Sequence, residues 1–190
     1  GITEIKSKTF YDCTNLTTVD VEDNSNLTTI GNDAFNGCSS LVTTLPKTLT
    51  SIGQYAFHKC SSLSSVLELT GPVTNIGTYA FRYSGLTGVD ITFTKDVNNG
   101  IKLADYTFAD CVNLKTVKIT GHVDTMNYTF NKCTALESFD GTEMTIRYMN
   151  TGCFSFCRNS PRKYCIRKTR CYRRRNYSGS KTCRNPRRYS

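Results

Sequence analysis

Phenylalanine returns along this chain in phase with its neighbours. Aligned on residues 52–63 (IGQYAFHKCSSL), equivalent rings fall at Phe10, Phe35, Phe57, Phe81, Phe108, Phe130 and Phe154, at intervals of 25, 22, 24, 27, 22 and 24 residues. Three residues after each Phe stand Cys13, Cys38, Cys60, Ser84, Cys111, Cys133 and Cys157. Five residues before, the position is mostly aliphatic: Ile5, Ile30, Ile52, Ile76 and Leu103. Three past the Cys come Leu16, Leu41, Leu63, Leu114 and Leu136, with Leu86 two past Ser84. A unit of this length cannot enclose its own apolar face. It must stack on its neighbours, giving a solenoid in which each winding contacts only the next.

Each unit has two halves. Leu16-x-x-Val19-x-Val21, Leu86-x-x-Val89-x-Ile91 and Leu114-x-x-Val117-x-Ile119 alternate with β-branched residues, which predicts a short strand. The stretch through Ala56, Phe57 and Cys60 has spacings of three to four, which predicts one helical or 3₁₀ turn on the opposite side. Gly31, Gly53 and Gly77 follow the aliphatic residue, where a sharp corner would favour a residue without Cβ. The expected fold is therefore stacked coils of about 22–27 residues, with parallel strands on one face, short turns opposite, and Phe and Cys inside. The second unit is short between Leu41 and Pro46, and residues 92–100 read as a loop inserted before Ile101.

The pattern I-G-x-x-A-F-x-x-C-x-x-L-x-x-V-x-L-P, clearest at 30–46, 52–66 and 76–91, resembles the BspA-like class of leucine-rich repeats. The resemblance covers about residues 2–157. It implies a strand-rich leucine-rich-repeat solenoid of the α/β repeat class, at a cell surface or secreted. It also implies adhesion to proteins or glycans, such as host matrix or another cell surface, with no catalytic residues and no cofactor. The motif's proline survives at Pro46 and, shifted, at Pro72.

The phased cysteines read as a buried, reduced column, since equivalent positions on adjacent coils lie roughly 5 Å apart and Cys packs as a small apolar group. Sporadic disulfides are the competing reading. Ser84 in the same slot fits a size limit better than an obligatory pairing.

Nothing in the chain assembles catalytic machinery. His58 and His122 stand at unphased positions, where a solvated side chain is the plain expectation. No strained nucleophile elbow or phosphate loop occurs. Asp20, Glu22, Asp23, Asn24 and Asn26 offer oxygen atoms, but the stretch lacks the glycine and distal Glu of a calcium loop, so it reads as a solvated turn. Cys153, Cys157, Cys165, Cys171 and Cys183 have no C-x-x-C pair or partnering His, so no metal site is expected. The sequons at Asn15-Leu16-Thr17, Asn26-Leu27-Thr28 and Asn127-Tyr128-Thr129 are frequent by chance in a Thr/Asn-rich chain.

Binding is the better expectation. Outward strand residues alternate with buried ones, which places Thr18, Asp20, Gly88, Asp90, Thr116 and Lys118 on the surface; less regular strands add Ser65, Ser138 and Asp140. The surface is polar and mildly acidic. A spacer with a merely solvated face is the alternative.

The formal charge of +9 hides two polymers. Residues 1–157 hold 11 Lys/Arg and all 15 Asp/Glu, whereas 158–190 hold 13 Lys/Arg and no acid. The tail, with Tyr between its cations, is expected to be disordered when free and could bind a polyanion or nucleic acid. A shifted reading frame is the preferred account, with a polyanion arm and an unstructured tail without partner as the alternatives, so nucleic acid is not the expected partner. Codons for Cys171-Tyr172-Arg173-Arg174-Arg175-Asn176, moved by one base, permit Val-Ile-Gly-Gly-Gly-Ile, and those for Lys163-Tyr164-Cys165-Ile166 permit Ser-Ile-Val-Phe. The array is expected to be N-terminally truncated, since 2–9 already sit inside a repeat, and to end near 154–157.

Overall fold

A computed structural model describes residues 1–21, 26–93, 101–150, 152–157 and 165–166. The repeats wind into a right-through stack with every strand pairing parallel. Each winding passes through a first sheet, a wall of turns and a second sheet. The first sheet contains β1 (Glu4–Ile5), β2 (Thr29–Ile30), β3 (Ser51–Ile52), β5 (Asn75–Ile76) and β7 (Ile101–Leu103). The second contains β4 (Val66–Val73), β6 (Gly88–Phe93), β9 (Ser138–Gly141) and β11 (Cys165–Ile166). One strand, β8 (Thr116–Met126), serves both. Its first part pairs with β6 and β9, and its last part with β7 and β10 (Met144–Met149). It turns the corner at Gly121, where φ is +89° and an added Cβ would meet the Phe93 carbonyl oxygen at 2.2 Å.

The apolar columns run where the periodicity places them. Ile5, Ile30, Ile52, Ile76, Leu103, Met126 and Met149 are matched in register along the first sheet. The seven phased Phe rings form one uninterrupted stack, with centroids 5.1–5.5 Å apart and ring planes within 13° of parallel. From Phe35 to Phe130 these rings are buried; Phe10 and Phe154 at the two ends are partly exposed. Where Phe130 and Phe154 end the row, Phe139 from the second sheet packs edge-on against both.

The wall is not helical. Among the described residues there is no helix or 3₁₀ segment, and no helix long and apolar enough to cross a membrane. The three-to-four spacing that suggests a helix arises differently. Alternate N–H groups close tight turns within a winding, as in His58 to Tyr55 (3.1 Å) and Cys60 to Phe57 (3.3 Å). The N–H groups between them donate to the next winding: Tyr55 to Thr78, Phe57 to Ala80 and Lys59 to Arg82. This alternation comes with positive φ two residues after each phased Phe and two residues before all of them except Phe154. Lys8, Asp33, Tyr55, Tyr79, Tyr106 and Tyr128 occupy the first position, and Asp12, Gly37, Lys59, Tyr83, Asp110, Lys132 and Phe156 the second. A right-handed helix cannot absorb left-handed residues at that frequency.

The strand predicted at Leu16, Val19 and Val21 does not form. That stretch has no described neighbour on one side, and on the other the second winding meets it through one backbone bond, Val42 to Thr17 (2.7 Å), and the Thr43 hydroxyl on the Val19 carbonyl (2.8 Å). At the far end, β11 pairs with Asp140 and Gly141, so the second sheet extends one strand past the expected end at 154–157. The rest of the basic tail and residues 94–100 of the inserted loop lie outside the described residues.

Cys13, Cys38, Cys60, Cys111, Cys133, Cys153 and Cys157 are free thiols. The column has a bonding pattern that its spacing did not reveal. Cys13, on the first winding, is exposed rather than buried; from Cys38 on, the column's thiols donate to the Phe carbonyl one winding earlier: Cys38 to Phe10 (3.0 Å), Cys60 to Phe35 (3.1 Å), Cys111 to Phe81 (3.0 Å), Cys133 to Phe108 (3.1 Å) and Cys157 to Phe130 (3.2 Å). Burial pushes the Cys111 and Cys153 thiols up to about 12 and raises Cys60 and Cys133 strongly.

An alkaline dependence of stability follows. Folded thiols keep their protons where unfolded ones, near an ordinary value of about 8.5, release them. The contribution is therefore fully present below about pH 8.5 and falls by roughly 1.4 kcal/mol per pH unit per buried thiol, until pH passes the folded value. Urea unfolding at pH 8 and pH 10 should show this loss. Cys111→Ala should flatten the slope by one thiol's share, and an unchanged slope would show that Cys111 does not hold its proton in the fold.

Candidate functional site

The second sheet presents the array's most regular outward surface. Its buried positions, Leu67, Val89, Val117 and Phe139, alternate with outward ones held in register by the ladder. One outward rung runs Val66, Gly88, Thr116, Ser138; the next runs Glu68, Asp90, Lys118, Asp140. A third begins with Thr92 and Thr120, whose hydroxyls are 3.2 Å apart. In the first of these rungs Gly88, expected on the surface, is buried between the Val66 and Thr116 side chains. An added Cβ would stand 2.9 Å from Thr116 Oγ1 and 3.1 Å from a Val66 methyl.

The second rung is charged throughout, acidic at Glu68, Asp90 and Asp140 and basic at Lys118. Lys118 Nζ lies 3.4 Å from Asp90 Oδ2. Asp140 accepts from the Thr142 backbone N–H (3.0 Å) and hydroxyl (2.8 Å), and these bonds hold its carboxyl below the usual value. Beside Asp140 an open groove of about 880 Å³ is lined by Thr92, Lys118, Thr120, Asp140, Glu143 and Thr145, among others. Its oxygens and the Lys118 ammonium suit hydrogen bonding and ion pairing.

Of the residues predicted from sequence, the structure brings Asp90, Thr116, Lys118, Ser138 and Asp140 together on adjacent rungs. Thr18 and Asp20 are exposed on the strandless first winding and belong to no rung. Ser65 precedes β4 and is half-buried, while Val66 and Glu68 take the outward positions. Sequence reasoning also missed Glu68, Thr92, Thr120 and Glu143. The ladder register reveals the first three and the groove lining reveals Glu143, whereas hydrophobic alternation alone fixes neither strand length nor phase.

A second surface feature went unread although its signal was present. Tyr55, Tyr79, Tyr106 and Tyr128 stand two residues before successive Phe residues, and their rings stack at 5.0, 5.2 and 4.9 Å. Arg82 lies over the faces of Tyr79 and Tyr83 and donates from Nε to Asp110 Oδ2 at 2.8 Å.

His58 sits beside this stack, edge-on to Tyr55 and Tyr83, with Nδ1 3.1 Å from Asn36 Oδ1. Burial first, then Lys59 and Arg82, lower its pKa and favour the neutral ring. His122 Nδ1 lies 2.7 Å from the Thr145 hydroxyl, its partner across the β8–β10 pairing, whereas His58 lies in the wall of turns. Among the described residues no three His, Cys, Asp or Glu side chains gather as a metal site would require. Residues 22–25 of the candidate calcium stretch, and Cys171 and Cys183 of the cysteine set, lie outside the described residues. Of the three sequons, Asn15 and Asn26 are exposed, while Asn127 donates to Asp105 Oδ1 at 3.0 Å.

Comparison with known proteins agrees with the geometry. The sequence pattern of the BspA-type leucine-rich repeat region matches in six copies, over residues 1–101 and 90–170. A solved leucine-rich repeat protein of T. pallidum superposes with a TM-score of 0.68 at 27% identity, over 85% of this chain and 72% of that one. A leucine-rich cell surface protein of Faecalibacterium prausnitzii gives a TM-score of 0.37 at 20% identity, over 83% of this chain and 69% of that one. No curated protein matches the sequence. With both its phased columns and its winding accounted for, the chain belongs to the BspA-type leucine-rich repeat family.

Proposed function

We propose that this array is a non-enzymatic binding module that contacts a protein at a cell surface through the second sheet. The supporting observation is the rigid outward rung of Asp90, Lys118 and Asp140, set at strand pitch and flanked by small Thr and Ser residues. Such a rung costs little to order on binding because its backbone is already fixed in the ladder. The resemblance to repeat proteins of adhesive type supplies the cell-surface setting, and the acidic balance of the array favours a partner patch with basic character.

The test is binding of the full chain to a panel of immobilised extracellular-matrix proteins. The wild type should bind at least one, and the triple variant Asp90→Ala, Lys118→Ala, Asp140→Ala should weaken that binding at least tenfold at unchanged melting temperature. A triple variant on the first sheet, Thr29→Ala, Ser51→Ala, Asn75→Ala, should bind as the wild type does. Equal binding by the rung variant would overturn the assignment. Binding to no member of the panel would favour the spacer reading.

A further inference from the structure

The second sheet starts inside the stack, not at its end. Its first strand, β4, is paired on one side with β6. On the other side run residues 42–47 of the second winding, which form no strand. Among the described residues, no backbone hydrogen bond joins that segment to 66–69. The sequence explains the gap. Pro46 falls within this segment and has no N–H to offer a ladder. A row of unpaired N–H and C=O groups at strand pitch is a template for another extended chain. A groove of about 560 Å³ opens beside it, between 44–47 and 65–68, with Leu45, Leu63, Leu67 and Leu86 in its lining. Val66 is 50% exposed.

We infer that this groove is a strand-addition site, which takes an extended peptide with apolar residues facing inward beside Leu67 and Leu69 and a basic residue facing outward beside Glu68. The side-chain pattern follows from burial and charge. Leu67 and Leu69 are buried, so a strand in register with them must direct apolar groups inward. Glu68 is in register with Asp90, which places two carboxylates on neighbouring strands. Asp90 has Lys118 on its far side at 3.4 Å. Glu68 has only a 4.0 Å approach from Lys47, and both side chains are more than half exposed (56% and 71%), a weak pairing. A cation on the open side of β4 would give Glu68 the close partner that Lys118 gives Asp90. Residues 116–120 (TVKIT) of this chain have that pattern, with Val117 and Ile119 buried and Lys118 outward in the same rung. Glycans and polyanions lack the alternating donors and acceptors that the edge requires.

This site lies at the β4 end of the same rung, on the side of Glu68 away from Asp90, Lys118 and Asp140. Alanine variants there leave the β4 edge intact, so the two readings fail independently. The probe is a capped, fluorescent peptide with the sequence of residues 114–120 (LKTVKIT), together with the same peptide carrying Lys118→Glu. With the full chain, the Lys peptide should slow exchange of edge-facing amides within 66–69 and bind at least tenfold tighter than its Glu counterpart. The Glu68→Lys variant alters an exposed side chain and should reverse that preference. Three results would overturn the site: no protection at 66–69, protection only at another edge, or the same peptide preference in both proteins.

Discussion

Phe81→Ala is expected to cost about 3–5 kcal/mol, the range for truncating a fully buried aromatic side chain. Phe81 is buried between Phe57 at 5.2 Å and Phe108 at 5.4 Å, so the substitution removes two ring contacts and leaves a hole that neither neighbour can close. Phe10, half-buried and stacked on Phe35 alone among the phased rings, should cost well under half as much when replaced by Ala. The consequence reaches beyond total stability. In a stack where each winding meets only its neighbours, a weakened central interface uncouples the two sides. Urea unfolding of Phe81→Ala should therefore broaden, with a lower apparent m-value, while that of Phe10→Ala keeps the wild-type slope. Equal losses for the two variants would mean that the ring stack does not carry stability from winding to winding.

Gly53→Ala should be nearly as damaging, for a reason opposite to the usual one. At a backbone conformation open to all residues, Gly→Ala commonly stabilises by about 0.4–1 kcal/mol through the unfolded chain. Gly53 has no positive φ, yet a Cβ there would stand 2.6 Å from the Asn32 backbone nitrogen and 2.7 Å from the Gly31 carbonyl carbon. Gly31 and Gly77 meet the preceding winding in the same way, at 2.5 Å. Backbone cannot swing aside as a flexible side chain can. The loss should lie at or above the upper end of the about 1–3 kcal/mol seen for overpacking, lowering Tm by roughly 5–10 °C. Gly1→Ala, with nothing within 4 Å, is the neutral control. A stabilised Gly53→Ala protein would show that the windings can separate at this point at little cost.

These glycines also mark what the sequence could and could not convey. Their recurrence after Ile30, Ile52 and Ile76 was plain, but a corner is only one reason to exclude a Cβ. The true reason, the approach of the neighbouring backbone, is visible only once windings are stacked. Columns were legible because stacking register equals sequence period: Phe on Phe, Cys on Cys, Ile on Ile. The sign of φ left no such trace, so the wall was expected to be helical. The phase of β4 was hidden as well. Leu63 lies four residues before the buried Leu67, whereas Leu114 lies three before the buried Val117, and the extra residue turns an apolar Val66 outward and leaves Ser65 off the rung. Of the candidate surface, individual charges such as Asp90 and Lys118 could be read from alternation. Their meeting across strands depended on pairing that spans 28 residues.

The alternating hydrogen bonds of the wall fix how the molecule would respond to being pulled by its ends. Every second N–H ties one winding to the next, and none reaches the winding after that. Axial load would therefore peel single windings from an end while the remainder kept its shape. Each unit of 22–27 residues, drawn out at about 3.3–3.6 Å per residue, would pay out roughly 70–95 Å of chain. A tether built this way lengthens in discrete increments and limits the tension on whatever its surface holds.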